Sequence, residues 1–261
     1  MTEALNSLEG RVALITGSGS GMGRASAELM AAQGATVIVA DLNEDGAKET
    51  VASIEKEGKG AGVAVALDAS SLASIKDMMN MVEKEFGKLN VLFNHVGTPG
   101  PGGLDIPEEE WDRTVDINLK SAFYCTSYGE HLLRREAGRA SVIFTASVSG
   151  VVGSLFSPIY SMCKGGIVSI GKALALSMAP DIRVNVIAPG VVETPMLAKF
   201  FGRNPSDDVE AGVKRFIDTG VPLDRVATAQ DIAQVALFLA SDASAYVTGI
   251  TIPVDGGYLA R

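Results

Sequence analysis

The sequence predicts a doubly wound α/β fold, with one parallel β-sheet covered by helices on both faces. Three observations carry this. Short apolar runs rich in Val, Ile and Ala recur along the chain. Stretches of helical spacing lie between them, and no linker or second periodicity interrupts the alternation.

The first run, RVALIT at 11–16, is apolar without alternation, as a strand buried on both faces requires. It enters Thr16-Gly17-Ser18-Gly19-Ser20-Gly21-Met22-Gly23-Arg24, which leads into a helical stretch at 22–33. ATVIVAD at 35–41 precedes a helix over 44–57. GVAVALD at 62–68 precedes a helix over 71–86, for which Ser70 or Ser71 is the N-cap. LNVLFN at 89–94 is followed by the Gly/Pro-rich loop HVGTPGPGGLDI at 95–106. ASVIFTA at 140–146 and IRVNVIAP at 182–189 are the next strands, and GITIPVDG at 249–256 is the last. Thr228 caps a helix over 228–240. The whole chain, 1–261, reads as one domain, with the insertion at 191–222 as a lid. Loops after strand C-termini build the ligand crevice of such sheets, and both irregular stretches follow strands.

Composition excludes several classes. A net charge of −9 and a pI near 4.8 lack the basic footprint of a nucleic-acid binder. No apolar run approaches the ~18 residues of a membrane span. The start, MTEALNSLEG, has acids and no basic region, unlike a signal peptide. Cys125 and Cys163 stand far apart and in no metal spacing. His95 and His131 are the only histidines, and neither neighbourhood suits a metal site or a hydrolase triad. The expectation is a reduced, cytoplasmic protein without metal.

The glycine-rich turn fits a dinucleotide. Its spacing is T-G-x-x-x-G-x-G through Gly17, Gly21 and Gly23, neither G-x-G-x-x-G nor a P-loop. Glycine lets backbone approach a pyrophosphate, and a helix N-terminus supplies N–H groups and positive dipole. Asp41 ends the second strand, where a carboxylate can accept both hydroxyls of an adenosine ribose. It would oppose a 2′-phosphate by about 4 kcal/mol at ~4 Å and an effective dielectric of ~20. Ser20 and Leu42, where a phosphate-pairing cation would sit, are uncharged. This favours NAD over NADP. Asp41 could instead cap the next helix, a job Asn43 can also do. Asp68 can bind the adenine amino group or cap the helix after it.

These residues, with Asn118, Ser147, Tyr160-x-x-x-Lys164, Pro189-Gly190, Thr194 and Val254-Asp255-Gly256-Gly257, make the chain resemble a classical short-chain dehydrogenase/reductase along essentially its whole length. Alone, Tyr160 and Lys164 read more simply as a packed ring and a solvated ammonium. The resemblance implies a Rossmann-like fold in which Tyr160 is the acid/base and Lys164 holds the nicotinamide ribose. It makes Ser147, thirteen residues before Tyr160, the group that binds the substrate oxygen in preference to Ser149. It has Asn118 fix a proton-relaying water. The cofactor contacts it implies are Gly17, Ser20, Gly21, Met22 and Gly23, then Asp41, Leu42, Asp68 and Ala69. Asn94 and Gly97 follow, and Pro189, Gly190, Val192 and Thr194 receive the carboxamide end. A free tyrosine titrates near 10. A neighbouring ammonium at i+4 and the positive nicotinamide ring would favour its phenolate.

The chain departs from the family's Asn-Asn-Ala-Gly at Asn94-His95-Val96-Gly97, where His95 is expected to pack. The link Ala179-Pro180-Asp181-Ile182 is also about one residue short, away from the chemistry. The implied function is NAD-dependent hydride transfer between nicotinamide and a secondary alcohol or ketone. Leu155, Phe156, Met196, Leu197, Phe200 and Phe201 suggest an apolar or aromatic group on it. A 3-oxoacyl-carrier reductase and a non-catalytic nucleotide sensor are the rivals. The resemblance implies a homotetramer paired through the helix of Tyr160 and the C-terminal strand region, and the apolar helix after Lys164 and the apolar chain end fit both surfaces.

Overall fold

The computed structural model describes residues 5–154, 156–202 and 206–260. The expected strands form: β1 (Val12–Thr16), β2 (Thr36–Asp41), β3 (Ala61–Ala66), β4 (Val91–Asn94), β5 (Ala140–Thr145), β6 (Ile182–Pro189) and β7 (Thr251–Val254). β3 starts one residue earlier than expected and ends sooner, β6 is as expected, and the others are shorter than expected. All pair in parallel, in the order β3-β2-β1-β4-β5-β6-β7.

The continuous apolar runs are explained by two cores. Along β1, Val12 and Leu14 enter one core while Ala13 and Ile15 enter the other. All four are buried, so a polar residue at any of them would lose its water. The first core is closed by α3 (Leu72–Phe86), α5 (Ser121–Arg134) and α7 (Pro158–Met178). The second is closed by α1 (Gly21–Ala32), α2 (Glu44–Glu57) and α10 (Ala229–Ala240). Ser71 proves to be the cap of α3, accepting from the Ser74 amide at 3.3 Å. Thr228 and Asp231 form a reciprocal capping box on α10.

After β4 come α4 (Glu108–Val115) and a π-helical turn at Asp116–Lys120, and after β5 comes the short α6 (Ser149–Val152). The 191–222 insertion folds as α8 (Pro195–Phe201) and α9 (Val209–Gly220). Strand order reverses at β1, whose neighbours are β2 and β4. Loops leaving the carboxyl ends there diverge to opposite faces, and the opening between them is the expected ligand crevice. No helix among the described residues is long and apolar enough to cross a membrane.

Candidate active site

A crevice of about 550 Å³ runs over the carboxyl ends of β1, β2 and β4. Gly17, Ser20, Gly21 and Met22 form its floor, with Asp41, Leu42, Asp68 and Ala69 at one end. Gly97, Tyr160, Lys164 and Thr194 close the other. Ser20 is the N-cap of α1 but its side chain makes no cap bond, and no acidic residue occupies the first turn. That helix end can therefore take an anion from the crevice.

Asp41 is locked in place by its neighbours. Its Oδ2 accepts from the Gly19 amide at 2.8 Å and its Oδ1 from the Asn43 amide at 2.9 Å. A Cβ on Gly19 would stand 2.9 Å from the Asp41 carboxyl carbon, so this position needs glycine although the T-G-x-x-x-G-x-G spacing leaves it open. The alternative reading of Asp41 as a helix cap fails, because Asn43 accepts from the Gly46 amide in that role. Asp68 is not a cap either. It accepts from the Ser70 hydroxyl at 2.6 Å and the Ser70 amide at 2.9 Å, which hold its carboxyl below the usual range.

Tyr160 stands where the sequence of α7 puts it. Ser157 caps that helix through its hydroxyl, which accepts from the Tyr160 amide at 3.3 Å, and Pro158 occupies the first turn. The same hydroxyl donates to the Pro101 carbonyl at 2.6 Å, tying the helix start to the 95–106 loop. Lys164 follows one turn on, with Nζ 5.6 Å from the Tyr160 ring centroid and 2.8 Å from the Thr145 carbonyl oxygen. Ser147 is hydrogen-bonded to Tyr160, and its Oγ accepts from the Ser149 amide at 3.1 Å. Ser149 starts α6.

Burial dominates the electrostatics of the pair. Burial pushes the Tyr160 phenol up to about 12, and the Ser147 hydrogen bond opposes this only in part. Burial also pulls the Lys164 ammonium down to about 8.

A second cavity, of about 330 Å³, opens on the far side of Tyr160. Ser147, Pro189, Gly190 and Val192 line it. Its outer wall is aromatic. Phe200 meets Tyr160 edge-on at 5.1 Å, Phe156 lies 5.4 Å from Phe201, and Phe216 stacks on Tyr258 at 4.9 Å. Leu155 lies outside the described residues.

Three residues expected at the site sit behind its walls. Gly23 faces the turn from within, where a Cβ would overlap the Gly17 carbonyl oxygen, so it packs helix against strand. Asn94 is buried, its Nδ2 donating to Thr126 Oγ1 at 3.1 Å. Asn118 is 1% exposed. Its Oδ1 accepts from the Thr98 amide at 3.0 Å and its Nδ2 donates to the Thr114 carbonyl at 2.9 Å. Its side chain braces the 97–98 backbone from inside the π-helical turn.

Other residues were missed. Thr16 Oγ1 accepts from the amides of His95 and Val96 at 3.0 and 3.2 Å, joining β1 to the loop after β4. Thr145 holds Lys164 and lines both cavities. Thr16 had a local signal as the first residue of the T-G-x-x-x-G-x-G turn, and Ser157 had one in the Ser-Pro pair before a helix. His95 packs as expected, 5.2 Å from the Phe93 ring, but also lines the crevice. Among the described residues no group of three or more His, Cys, Asp or Glu could hold a metal ion.

A family model described as enoyl-(acyl carrier protein) reductase matches residues 17–259. The chain belongs to the classical short-chain dehydrogenase/reductase family and is an oxidoreductase of that type, a family that uses nicotinamide cofactors. An uncharacterized oxidoreductase of Bacillus subtilis, YxbG, is 39% identical over 97% of this chain and 92% of its own. The 3-oxoacyl-[acyl-carrier-protein] reductase FabG of Thermotoga maritima is 37% identical over 96% of this chain and 98% of its own. The crystal structure of levodione reductase superposes with a TM-score of 0.92 at 31% identity, covering 97% of this chain and 99% of that one.

Proposed function

We propose that the protein is an NAD(H)-dependent dehydrogenase or ketone reductase. Its substrate would be a compact secondary alcohol or ketone bearing an apolar ring. The observation that carries this is the position of Tyr160, on the wall shared by the polar crevice and the aromatic cavity. The cofactor supplies the hydride acceptor or donor and, when oxidised, a positive charge. Tyr160 gives or takes the proton at the substrate oxygen, and Ser147 holds that oxygen beside it. Lys164 holds the ribose and keeps a cation near the phenol. Gly17, Gly21 and the start of α1 take the pyrophosphate. Pro189, Gly190, Val192 and Thr194 receive the carboxamide, and Phe156, Phe200 and Phe201 cover the apolar part of the substrate. The test is NADH oxidation against a panel of ketones, with alcohols and NAD in reverse. A nucleotide sensor would bind NADH and turn nothing over.

The likeness to FabG favours a second reading, reduction of a 3-oxoacyl thioester, so the panel includes one with NADPH. Asp41 separates the two. A kcat/KM preference for NAD over NADP of at least about a hundredfold, roughly 2.7 kcal/mol, is expected, and Asp41→Ser should reduce it. Two cations, Arg113 and Lys199, also line the crevice, so equal use of both cofactors would mean that they, not Asp41, govern the choice.

The assembly proposed is a homotetramer, in the cytoplasm. Leu176 on α7 is 85% exposed and Ile250 beside β7 is 47% exposed, on the surfaces expected to pair. Light scattering at micromolar concentration should give about four chains, whereas a mass near 27.1 kDa would overturn the assembly.

A further inference from the structure

We propose that His95 is a positioning residue for Lys164, acting through Thr145. The inference rests on the reading of Lys164 above and concerns the position where this chain departs from its family's pattern.

The β4–β5 register pairs Asn94 with Phe144, and there the ladder stops. His95 and Thr145 would be the next pair. The His95 amide instead donates to Thr16 Oγ1 at 3.0 Å, so backbone cannot bridge the two strands at this level. Side chains do so in its place, with His95 Nδ1 lying 2.9 Å from Thr145 Oγ1. The ring is steadied by Phe93, tilted at 48° and 5.2 Å away. Thr145 is 6% exposed and carries two loads: its hydroxyl meets His95, and its carbonyl oxygen accepts from Lys164 Nζ at 2.8 Å. Fixing the hydroxyl fixes the residue from which that carbonyl projects, at the point where β5 leaves the sheet. The titratable groups facing Lys164 are Tyr160 and Cys163 from its own helix and His95 from the loop after β4. His95 must stay neutral to serve beside an ammonium. Burial and the Lys164 charge hold it so, down to about 3.

The chemistry distinguishes the two ring nitrogens. An asparagine side chain places its amide atoms where the imidazole has Nδ1, and lacks a counterpart of Nε2. His95→Asn should therefore keep the Thr145 contact, while His95→Phe fills the space without it. A loosened carbonyl stabilises the ammonium less, so Lys164 should then lose its proton at lower pH.

The test titrates the full-length protein labelled with ε-13C lysine, the Lys164 signal being assigned by its absence in Lys164→Arg. The wild-type midpoint is expected near 8. His95→Phe and Thr145→Val should each lower it by at least about half a pH unit, the size of one lost carbonyl contact. The double variant should go no lower than either, while His95→Asn and Thr145→Ser should stay at the wild-type value. The alkaline limb of the kcat/KM profile should move with the midpoint in His95→Phe. An unmoved midpoint in both His95→Phe and Thr145→Val overturns the proposal. So does a fall in His95→Asn equal to that in His95→Phe, which would assign the effect to Nε2. Should His95→Phe fail to fold, Thr145→Val, nearly isosteric, carries the test. If the midpoints move as expected but the wild type turns over no alcohol or ketone, the proposed dehydrogenase activity fails and the positioning role stands.

Discussion

Tyr160→Phe should lower kcat by at least about a hundredfold while NADH affinity, read by fluorescence titration, changes less than about twofold. A positioned proton donor typically contributes 10²–10⁴-fold, and only the phenolic oxygen is removed. The ring itself keeps its edge-on contact with Phe200 and its place in the wall between the cavities. Burial pushes this phenol up to about 12, so the phenolate fraction grows with pH throughout the accessible range. Alcohol oxidation, which needs the phenolate, should therefore speed up from neutral to alkaline pH. Ketone reduction, which needs the phenol, should not. A Phe variant retaining more than about a tenth of wild-type kcat, an effect under ~1.4 kcal/mol, would remove Tyr160 as the acid/base.

Lys164→Met should raise the KM for NAD and lower kcat together, because the ammonium is proposed to hold the ribose and to assist the phenol. It should also leave a signature in stability. Burial pulls Lys164 down from 10.5 to about 8 in the folded protein. Below pH 8 the group is charged in both states, and the folded state bears the cost of its desolvation. Between pH 8 and 10.5 the unfolded chain binds more protons, so stability rises with pH through this window. The contribution is about 3 kcal/mol at 1.36 kcal/mol per pH unit of displacement. The variant lacks this rise. Denaturant melts of both proteins at pH 7.5 and 10.5 should show the wild type gaining on the variant by roughly that amount. Parallel pH dependence would mean that Lys164 keeps its solution behaviour and is a solvated helix residue.

Much of this molecule is legible because its signals are local. A strand buried on both faces must be apolar without alternation, and β1, β2, β4, β5 and β6 read that way directly. The turn at 16–24 is legible because glycine is needed wherever a Cβ would overlap backbone, as at Gly23. Tyr160 and Lys164 are legible as a pair because four residues make one helical turn. The cap of α3 was narrowed to two serines, since both can accept from the first turn and only the path of the chain after Asp68 decides between them.

What the amino-acid order determined by itself was therefore the alternating βα architecture, the glycine-rich turn and the placing of Tyr160 and Lys164 on one helix face, while their roles came from the family resemblance and not from spacing. What tertiary structure decided was how residues far apart in the chain divide the work. Asn118 joins the 97–98 loop to its own helix, its amide bonded by Thr98 and Thr114. Thr16, Thr145 and His95 become neighbours only when β1, β4 and β5 lie side by side in register. The upward displacement of the Tyr160 phenol was beyond any motif for the same reason. It depends on how much water the lid and the second cavity remove from the phenol, and desolvation is a property of the packed site rather than of any one stretch of chain.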